Sequence, residues 1–432
     1  MSRPVVMVDV YAPTMRLAQG FIDRGFPVVQ LRSTPEIPPV YRGFSGDGLA
    51  GCLVHDGGLA EAAVVRTAAA VSALDPVAVV TGGETGVELA DAVASRLGLA
   101  SNGTAASSIR RDKYAMIERL RDRGLRVARQ LLVPDADSLA VWHSELGGRV
   151  VIKPTRSAGN DGVQFCDSPV ESVAAYRSIV NSQNIFGITN EGVVAQEFLV
   201  GGEHVVNTVS CGGQHRVTDC WKYVKISANG VSDRVVAAVS VDDEPRSAAL
   251  VEYALAVLDA LEISYGPAHL EIMDTPDGPA LVEIGARLCG ADTARYAELA
   301  RGESQIGWTV SAFTDPASFR RDHTAAGQIR SHAAMAFMTA PRAGVLRGYP
   351  RLPDIRALPS YVDHQIVVAP GEVLHRTVSD VTEPMMIGLA HPNRDILERD
   401  LFTVLYLDGD GFYDIDGFCD VDGIGTTAEA RS

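Results

Sequence analysis

The chain has 432 residues, enough for two or three packed units, and its 46% hydrophobic and 21% charged residues allow a large core under a soluble surface. A formal net charge of -16 argues against nucleic acid and against an anionic membrane as partners, although a nucleotide needs only a few local cations. The six cysteines (Cys52, Cys166, Cys211, Cys220, Cys289, Cys419) form no C-x-x-C pair and read as reduced thiols of a cytoplasmic protein; no signal peptide or membrane span is expected.

In chain order, Val5–Val8, Pro27–Leu31 and Val77–Val80 read as apolar strands. Thr14–Arg24 and Glu88–Leu97 have helical spacing and end at Gly25 and Gly98. This βαβ rhythm predicts a largely parallel sheet covered by helices. Gly82–Gly86 lacks the G-x-G-x-x-G spacing and reads as a tight strand-to-helix turn, one that could face a cleft beyond the carboxyl ends of the strands.

A charged helix is expected over Ser108–Arg123. Val150–Lys153 is a strand stopped by Pro154 and followed by a small-residue loop, Ser157–Gly162. Val193–Phe198 is a further strand, and Val205–Ser210 with Arg216–Val224 reads as a hairpin turning at Gly212-Gly213. Ser247–Leu261 has the pattern of an amphipathic helix, and Ala268–Met273 and Ala280–Ile284 pair around a turn at Thr275–Gly278. A β-rich section starts near His332, which places a domain boundary near residue 325. After Asp408 the chain is rich in Asp and Gly, lacks EF-hand spacing, and reads as a solvated acidic tail.

The residues suited to chemistry form an ordered series. Glu271 and Glu283 lie in the two strands around Thr275–Gly278, so they are either solvent-facing or a converging pair that needs a cation between them. Magnesium suits such a pair, because it takes a few carboxylates plus phosphate and water oxygens. Lys153 ends an apolar strand beside the Ser157–Gly162 loop, whose glycines let backbone N–H groups approach phosphates. In Gln196-Glu197-Phe198-Leu199-Val200-Gly201-Gly202-Glu203, backbone groups could read an adenine edge and Glu203 could accept from ribose hydroxyls. Arg287, four residues past Glu283, could meet a transferring phosphoryl group or a carboxylate. His269, two before Glu271, shares its face and is either a substrate-orienting or proton-accepting group or a packed strand histidine.

Taken together, Lys113, V-I-K-P with its glycine loop, Q-E-F-L-V-G-G-E, H-L-E-I-M and V-E-I-G-A-R resemble, in order and spacing, the ATP-grasp superfamily over residues 1–320. Gly266-Pro267-Ala268-His269-Leu270-Glu271, Trp221-Lys222-Tyr223 and the β-rich C-terminal section are similar to the branch of L-amino-acid ligases and dapdiamide-type amide ligases. The resemblance implies an α/β ATP-grasp fold: a Rossmann-like pre-ATP-grasp domain over 1–107, an ATP-grasp domain over 108–325 with a lid at about 130–200, and a β-rich C-terminal subdomain over 326–432. It implies an acid–amino-acid ligase that makes an amide or dipeptide through an acyl phosphate and releases ADP. Lys113 and Lys153 would hold ATP phosphates under the loop that includes Ser157, Ala158, Gly159 and Gly162. Glu197, Phe198 and Leu199 would meet adenine, and Glu203 ribose. Glu271 and Glu283 would hold two Mg²⁺ ions, with Mn²⁺ an acceptable substitute and Glu283 bridging, and Arg287 would meet the acyl phosphate. The partners are a small carboxylate and a small amine of amino-acid type, with a homodimer as an admissible assembly. Two departures stand out: Gln196 where many relatives have glutamate, and Gly285 where many have the asparagine that binds the second metal. A bicarbonate-dependent ATP-grasp carboxylase and a silent nucleotide-binding partner remain alternative readings.

Overall fold

The computed structural model describes residues 2–11, 14–42, 44–241, 247–324, 327–409 and 411–416. Cys419 and the expected acidic tail from 417 onward lie outside the described residues. The chain divides into two compact units, residues 1–222 with 240–329 and residues 223–239 with 330–432.

The first unit opens with a parallel sheet. Its elements are β1 (Val5–Val8), α1 (Met15–Asp23), β2 (Val28–Arg32), β3 (Gly51–Val54), α2 (Glu61–Ser72), β4 (Ala78–Thr81) and α3 (Val87–Arg96), with strand order β3-β2-β1-β4. Both faces are covered, which is why β1 is apolar without alternation. Val5 and Met7 pack with Leu17 and Phe21 of α1, whereas Val6 and Val8 pack with Ala68 and Val71 of α2 and Val93 of α3. The strand order reverses at β1, so a crevice is expected beyond the carboxyl ends of β1 and β4. Strand β3, largely exposed at the sheet edge, carries no strong strand pattern and was not anticipated from the sequence.

Next comes α4 (Lys113–Asp122), shorter than the expected Ser108–Arg123 helix because Asp112 caps it, its side chain accepting from Tyr114 N and Ala115 N. A four-stranded antiparallel sheet follows, with β5 (Gln130–Leu132), α5 (Ala136–Leu146), β6 (Val150–Pro154), β7 (Gln164–Cys166), α6 (Pro169–Ile179) and β8 (Val193–Glu197) in strand order β5-β8-β6-β7. Val150, Ile152, Val193 and Ala195 share a core with Leu139, Ala175 and Ile179 of the two helices. Lys153 therefore points to the opposite face from Ile152.

Then come β9 (Gly202–Cys211), β10 (Gln214–Ala228), β11 (Val231–Ser240), α7 (Ser247–Ala260), β12 (Tyr265–Thr275), β13 (Gly278–Gly285), α8 (Thr293–Arg301), α9 (Gln305–Thr314) and α10 (Pro316–Asp322). β13, β12, β9 and the first half of β10 form an antiparallel array. Gly212 and Gly213, with φ of 62° and 78°, make the expected tight β9–β10 turn. Val206, Leu270, Ile272, Leu281 and Ile284 face α4 and α7 in one core. The alternating positions Asn207, His269 and Glu271 face the other side.

The second unit takes in the end of β10 and nearly all of β11 and adds β14 (His332–Phe337), β15 (Gly344–Gly348), α11 (Leu352–Arg356), β16 (Tyr361–Ile366), β17 (Val373–Leu374), β18 (Met385–His391), α12 (Arg394–Leu407) and β19 (Asp414–Asp416). It is rich in strands, as expected, but α12 packs Leu397, Leu401 and Val404 onto Ala334, Ala336 and Ile387. The solvated-tail reading fails for its first residues. Phe412 and Tyr413 are buried and β19 pairs with β15, because two aromatic side chains gain more from burial than the flanking Asp and Gly residues lose.

Candidate active site

The centre of the site is a cross-strand pair. Glu271 of β12 lies directly opposite Glu283 of β13, and the register shifts immediately beyond them, so that Ile272 faces Leu281. The extra residue, Val282, is a β-bulge; it lets Leu281 and Ile284, three apart, both turn into the core while Glu283 faces outward. The spacing of a tight hairpin thus brings the two carboxylates together, as the sequence suggests.

Two lysines converge on this pair. Lys113, the first residue of α4, places Nζ 2.9 Å from Glu283 Oε2 and donates to the Ser157 carbonyl at 2.7 Å. Lys153, buried on β6, has its ammonium pushed down to about 8. Burial is the larger cause and Lys113 adds to it, while Glu283, Glu271 and Glu203 oppose the shift. The Ser157–Gly162 loop turns through left-handed Gly159, Asn160 and Gly162. Ser157 Oγ donates to Asp161 Oδ2 at 2.6 Å, and the Ile185 N–H donates to the same oxygen at 3.0 Å. Glu197 is held at 2.5 Å by Arg129 Nε, and its N–H donates to the Arg129 carbonyl. Phe198 N donates to the Arg149 carbonyl, and Leu199 follows beyond the end of β8.

His269 lies opposite Asn207 in register. Asn207 Nδ2 donates to buried Asp219 at 2.6 Å, which leaves Asn207 Oδ1 to accept from His269 Nδ1 at 2.9 Å. His269 Nε2 is 3.2 Å from Glu271 Oε1. Both ring nitrogens therefore face acceptors, which fits an imidazolium. Burial disfavours that charge, but Cys289 and Glu271 outweigh it and raise the ring to about 10. Trp221 is buried and donates to Asp219 at 2.6 Å, which fixes the far end of this chain of hydrogen bonds.

Arg287 reaches a second carboxylate, one the sequence reading did not single out. Its Nε donates to Glu84 Oε2 at 2.7 Å and its Nη1 to the Leu288 carbonyl at 3.1 Å. Arg111 donates to Glu84 Oε1. Burial raises the Glu84 carboxyl, but Arg111, Arg287 and Lys113 together hold it down at about 2. Glu84 sits in the turn after β4, whose glycines are needed for close approach: a Cβ on Gly86 would lie 2.6 Å from the Val8 carbonyl oxygen. That turn carries the only acidic side chain between β4 and α3, at a strand end where a ligand crevice is expected; this was the available signal for Glu84. Arg111, in an ordinary charged run, carried none. Tyr41 lies close to this cluster, stacked on Tyr11 at 4.4 Å between ring centroids.

Among the described residues, no group of three or more His, Cys, Asp or Glu side chains could hold a metal ion by itself. A cation at Glu271 and Glu283 would draw its other ligands from phosphate and water oxygens, the arrangement magnesium favours. The donor set thus fits Mg²⁺ bound together with a nucleotide.

Residues 147–295 match the ATP-grasp domain family. Over 424 residues, 95% of this chain and 96% of the relative, the sequence is 30% identical to dapdiamide A synthase of Enterobacter agglomerans. It is 24% identical over 230 residues, 51% of this chain and 54% of the relative, to the L-arginine-specific L-amino acid ligase of Bacillus subtilis. The crystal structure of an L-amino acid ligase from Bacillus licheniformis shares the fold with a TM-score of 0.76 at 16% identity, covering 96% of this chain and 99% of that one. The chain belongs to the ATP-grasp enzymes, a class that works with ATP and Mg²⁺. Within it, the chain belongs to the carboxylate–amine ligases, which form a carbon–nitrogen bond at the expense of ATP. Among the described residues no helix is long and apolar enough to cross a membrane.

Proposed function

We propose that the enzyme joins two amino-acid-like substrates, one giving the carboxylate and the other the amine, into an amide or dipeptide. The observation that carries this reading is the placement of Glu271, Glu283, Lys113 and Lys153 at one point, with the Glu84–Arg287 pair beside it. The names of the relatives, a dapdiamide synthase and an L-amino acid ligase, support the substrate class.

In this reading Lys113 and Lys153 grip the phosphates beneath the loop that includes Ser157, Ala158, Gly159 and Gly162. The segment Glu197–Leu199 meets adenine through its backbone, and Glu203 takes the ribose. Glu271 and Glu283 hold the metal, as two Mg²⁺ ions with Mn²⁺ able to replace them, which would neutralise phosphate charge. A substrate carboxylate oxygen attacks the γ-phosphorus, the bond to the ADP oxygen breaks, and Lys153 and Arg287 disperse the developing charge. The loop keeps water from the acyl phosphate. The amine nitrogen then attacks the acyl carbon, inorganic phosphate leaves, and the ammonium proton passes to solvent or phosphate. His269, with both nitrogens engaged, orients Glu271 and the substrate rather than accepting this proton. The five described cysteines are thiols rather than disulfide partners, in keeping with a cytoplasmic location.

The test is a screen of amino-acid pairs for ADP release by the purified protein, followed by mass measurement of the product. Dehydrative coupling of two amino acids with one ADP per bond is expected. ADP release that requires bicarbonate and no amine would replace this reading with a carboxylase.

A further inference from the structure

Gly285 closes β13, two residues past Glu283 and on the same face. Its φ is not left-handed, so the backbone alone does not call for glycine there. Space does. A Cβ at Gly285 would lie 3.0 Å from Arg287 Cζ and 3.3 Å from both Nε and Nη1. The guanidinium is not free to slide away, because Nε is held by Glu84 at 2.7 Å and Nη1 by the Leu288 carbonyl at 3.1 Å. Glu84 is itself fixed from the other side by Arg111. Among the described residues, Arg287 Nη2 has no acceptor, so this seat leaves one edge of the guanidinium for a ligand.

We propose that Gly285 is a positioning residue for Arg287: the missing side chain is the seat that lets the guanidinium fold back over the strand end beside Glu283 and lock onto Glu84. Asparagine, the residue the resemblance to the ATP-grasp superfamily leads one to expect here, would start from the atom the guanidinium now excludes. The cation fixed there is one whose charge Glu283 also feels. A planar, fixed fork suits a carboxylate or acyl phosphate. The rate part of this inference rests on the ligase reading; the structural part does not.

The experiment is a double-mutant cycle on Gly285→Ala and Arg287→Ala, with Gly285→Asn as a further variant. It is read in three ways: single-turnover ADP formation at saturating ATP, ATP affinity by calorimetry, and the urea midpoint. The expected result is that Gly285→Ala and Gly285→Asn each slow the single turnover at least about tenfold, with ATP affinity changed less than about twofold. In the Arg287→Ala background Gly285→Ala then has no further effect, because the group it would displace is gone. The urea midpoint follows the same pattern, falling with Gly285→Ala only when Arg287 is present. That arm needs no substrate, so a wild-type protein inactive on every amino-acid pair sinks the ligase reading while the midpoints still decide the role of Gly285. Equal midpoint losses in both backgrounds, or wild-type rates for Gly285→Asn, overturn the proposal.

Discussion

Arg287 and Glu84 lie 203 positions apart in the sequence and meet at 2.7 Å, Nε to Oε2. The contact ties the segment after β13 to the turn after β4 and fixes a guanidinium whose charge Glu283 also feels. Because Arg111 shares the same carboxylate, the charge on Glu84 balances two cations, the buried Arg111 and the partly exposed Arg287.

Glu84→Gln is expected to lower stability by about 3 kcal/mol at neutral pH, since it leaves the buried Arg111 and the partly exposed Arg287 guanidinium facing a neutral amide. The pH dependence has a definite sign. The folded carboxyl is held at about 2 against an ordinary value of 4.5, so its contribution is full above the ordinary value and is lost as pH falls through the folded one. The stability gap between wild type and variant should therefore shrink as pH falls through this window, as read from urea unfolding. A gap that stays constant to the acid end would show that the charge on Glu84 does not supply it.

Arg287→Lys keeps a positive charge but loses the planar fork and the Nε donor to Glu84. A loss of about a hundredfold in the single-turnover rate is expected, with ATP affinity little changed. Calorimetry paired with rapid-quench kinetics separates the two effects. Collapsed ATP affinity with a normal rate at saturating ATP would make Arg287 a nucleotide anchor instead.

Glu283→Gln should reduce turnover at least about a hundredfold while the fold survives, because a neutral amide cannot balance both a metal ion and the Lys113 ammonium 2.9 Å away. Circular dichroism and the thermal midpoint check the fold, and ADP release checks turnover. Activity near that of wild type at ordinary magnesium concentrations would remove Glu283 from the metal site.

Lys153, pushed down to about 8, should bind a proton when ATP arrives, because the phosphates stabilise its charged form. Calorimetry near that pH in buffers of different ionisation enthalpy should show net proton uptake on nucleotide binding. The uptake should vanish in Lys153→Met, and ATP should bind more weakly as pH rises above this value. The same uptake in the variant would assign the proton to another group.

Much of this site was legible because strand geometry is local. The Thr275–Gly278 turn sets the partnership of Glu271 with Glu283, and the apolar run before Lys153 fixes the strand that carries it. Glu84 was hidden for the opposite reason. Its role depends on Arg111 and Arg287, 27 and 203 positions away, and no periodicity encodes such distances. The start of α4 turns on one side chain, Asp112, whose cap outweighs the helical propensity of the residues before it. In the C-terminal section the signal for α12 was present, in the Asn393 cap and the spacing of Leu397, Leu401 and Val404. Phe412 and Tyr413 were masked by their Asp- and Gly-rich surroundings, where composition pointed to solvent and two aromatic rings decided for the core.

The central claim is that ATP is spent on joining a carboxylate to an amine through an acyl phosphate. The most direct measurement uses a substrate carboxylate labelled with ¹⁸O, an amine partner and ATP, with the nucleotide, phosphate and coupled product analysed after turnover. The account predicts ADP, one ¹⁸O atom transferred to the inorganic phosphate, and an amide product in equal amount. AMP with pyrophosphate, or phosphate free of the label, would contradict it.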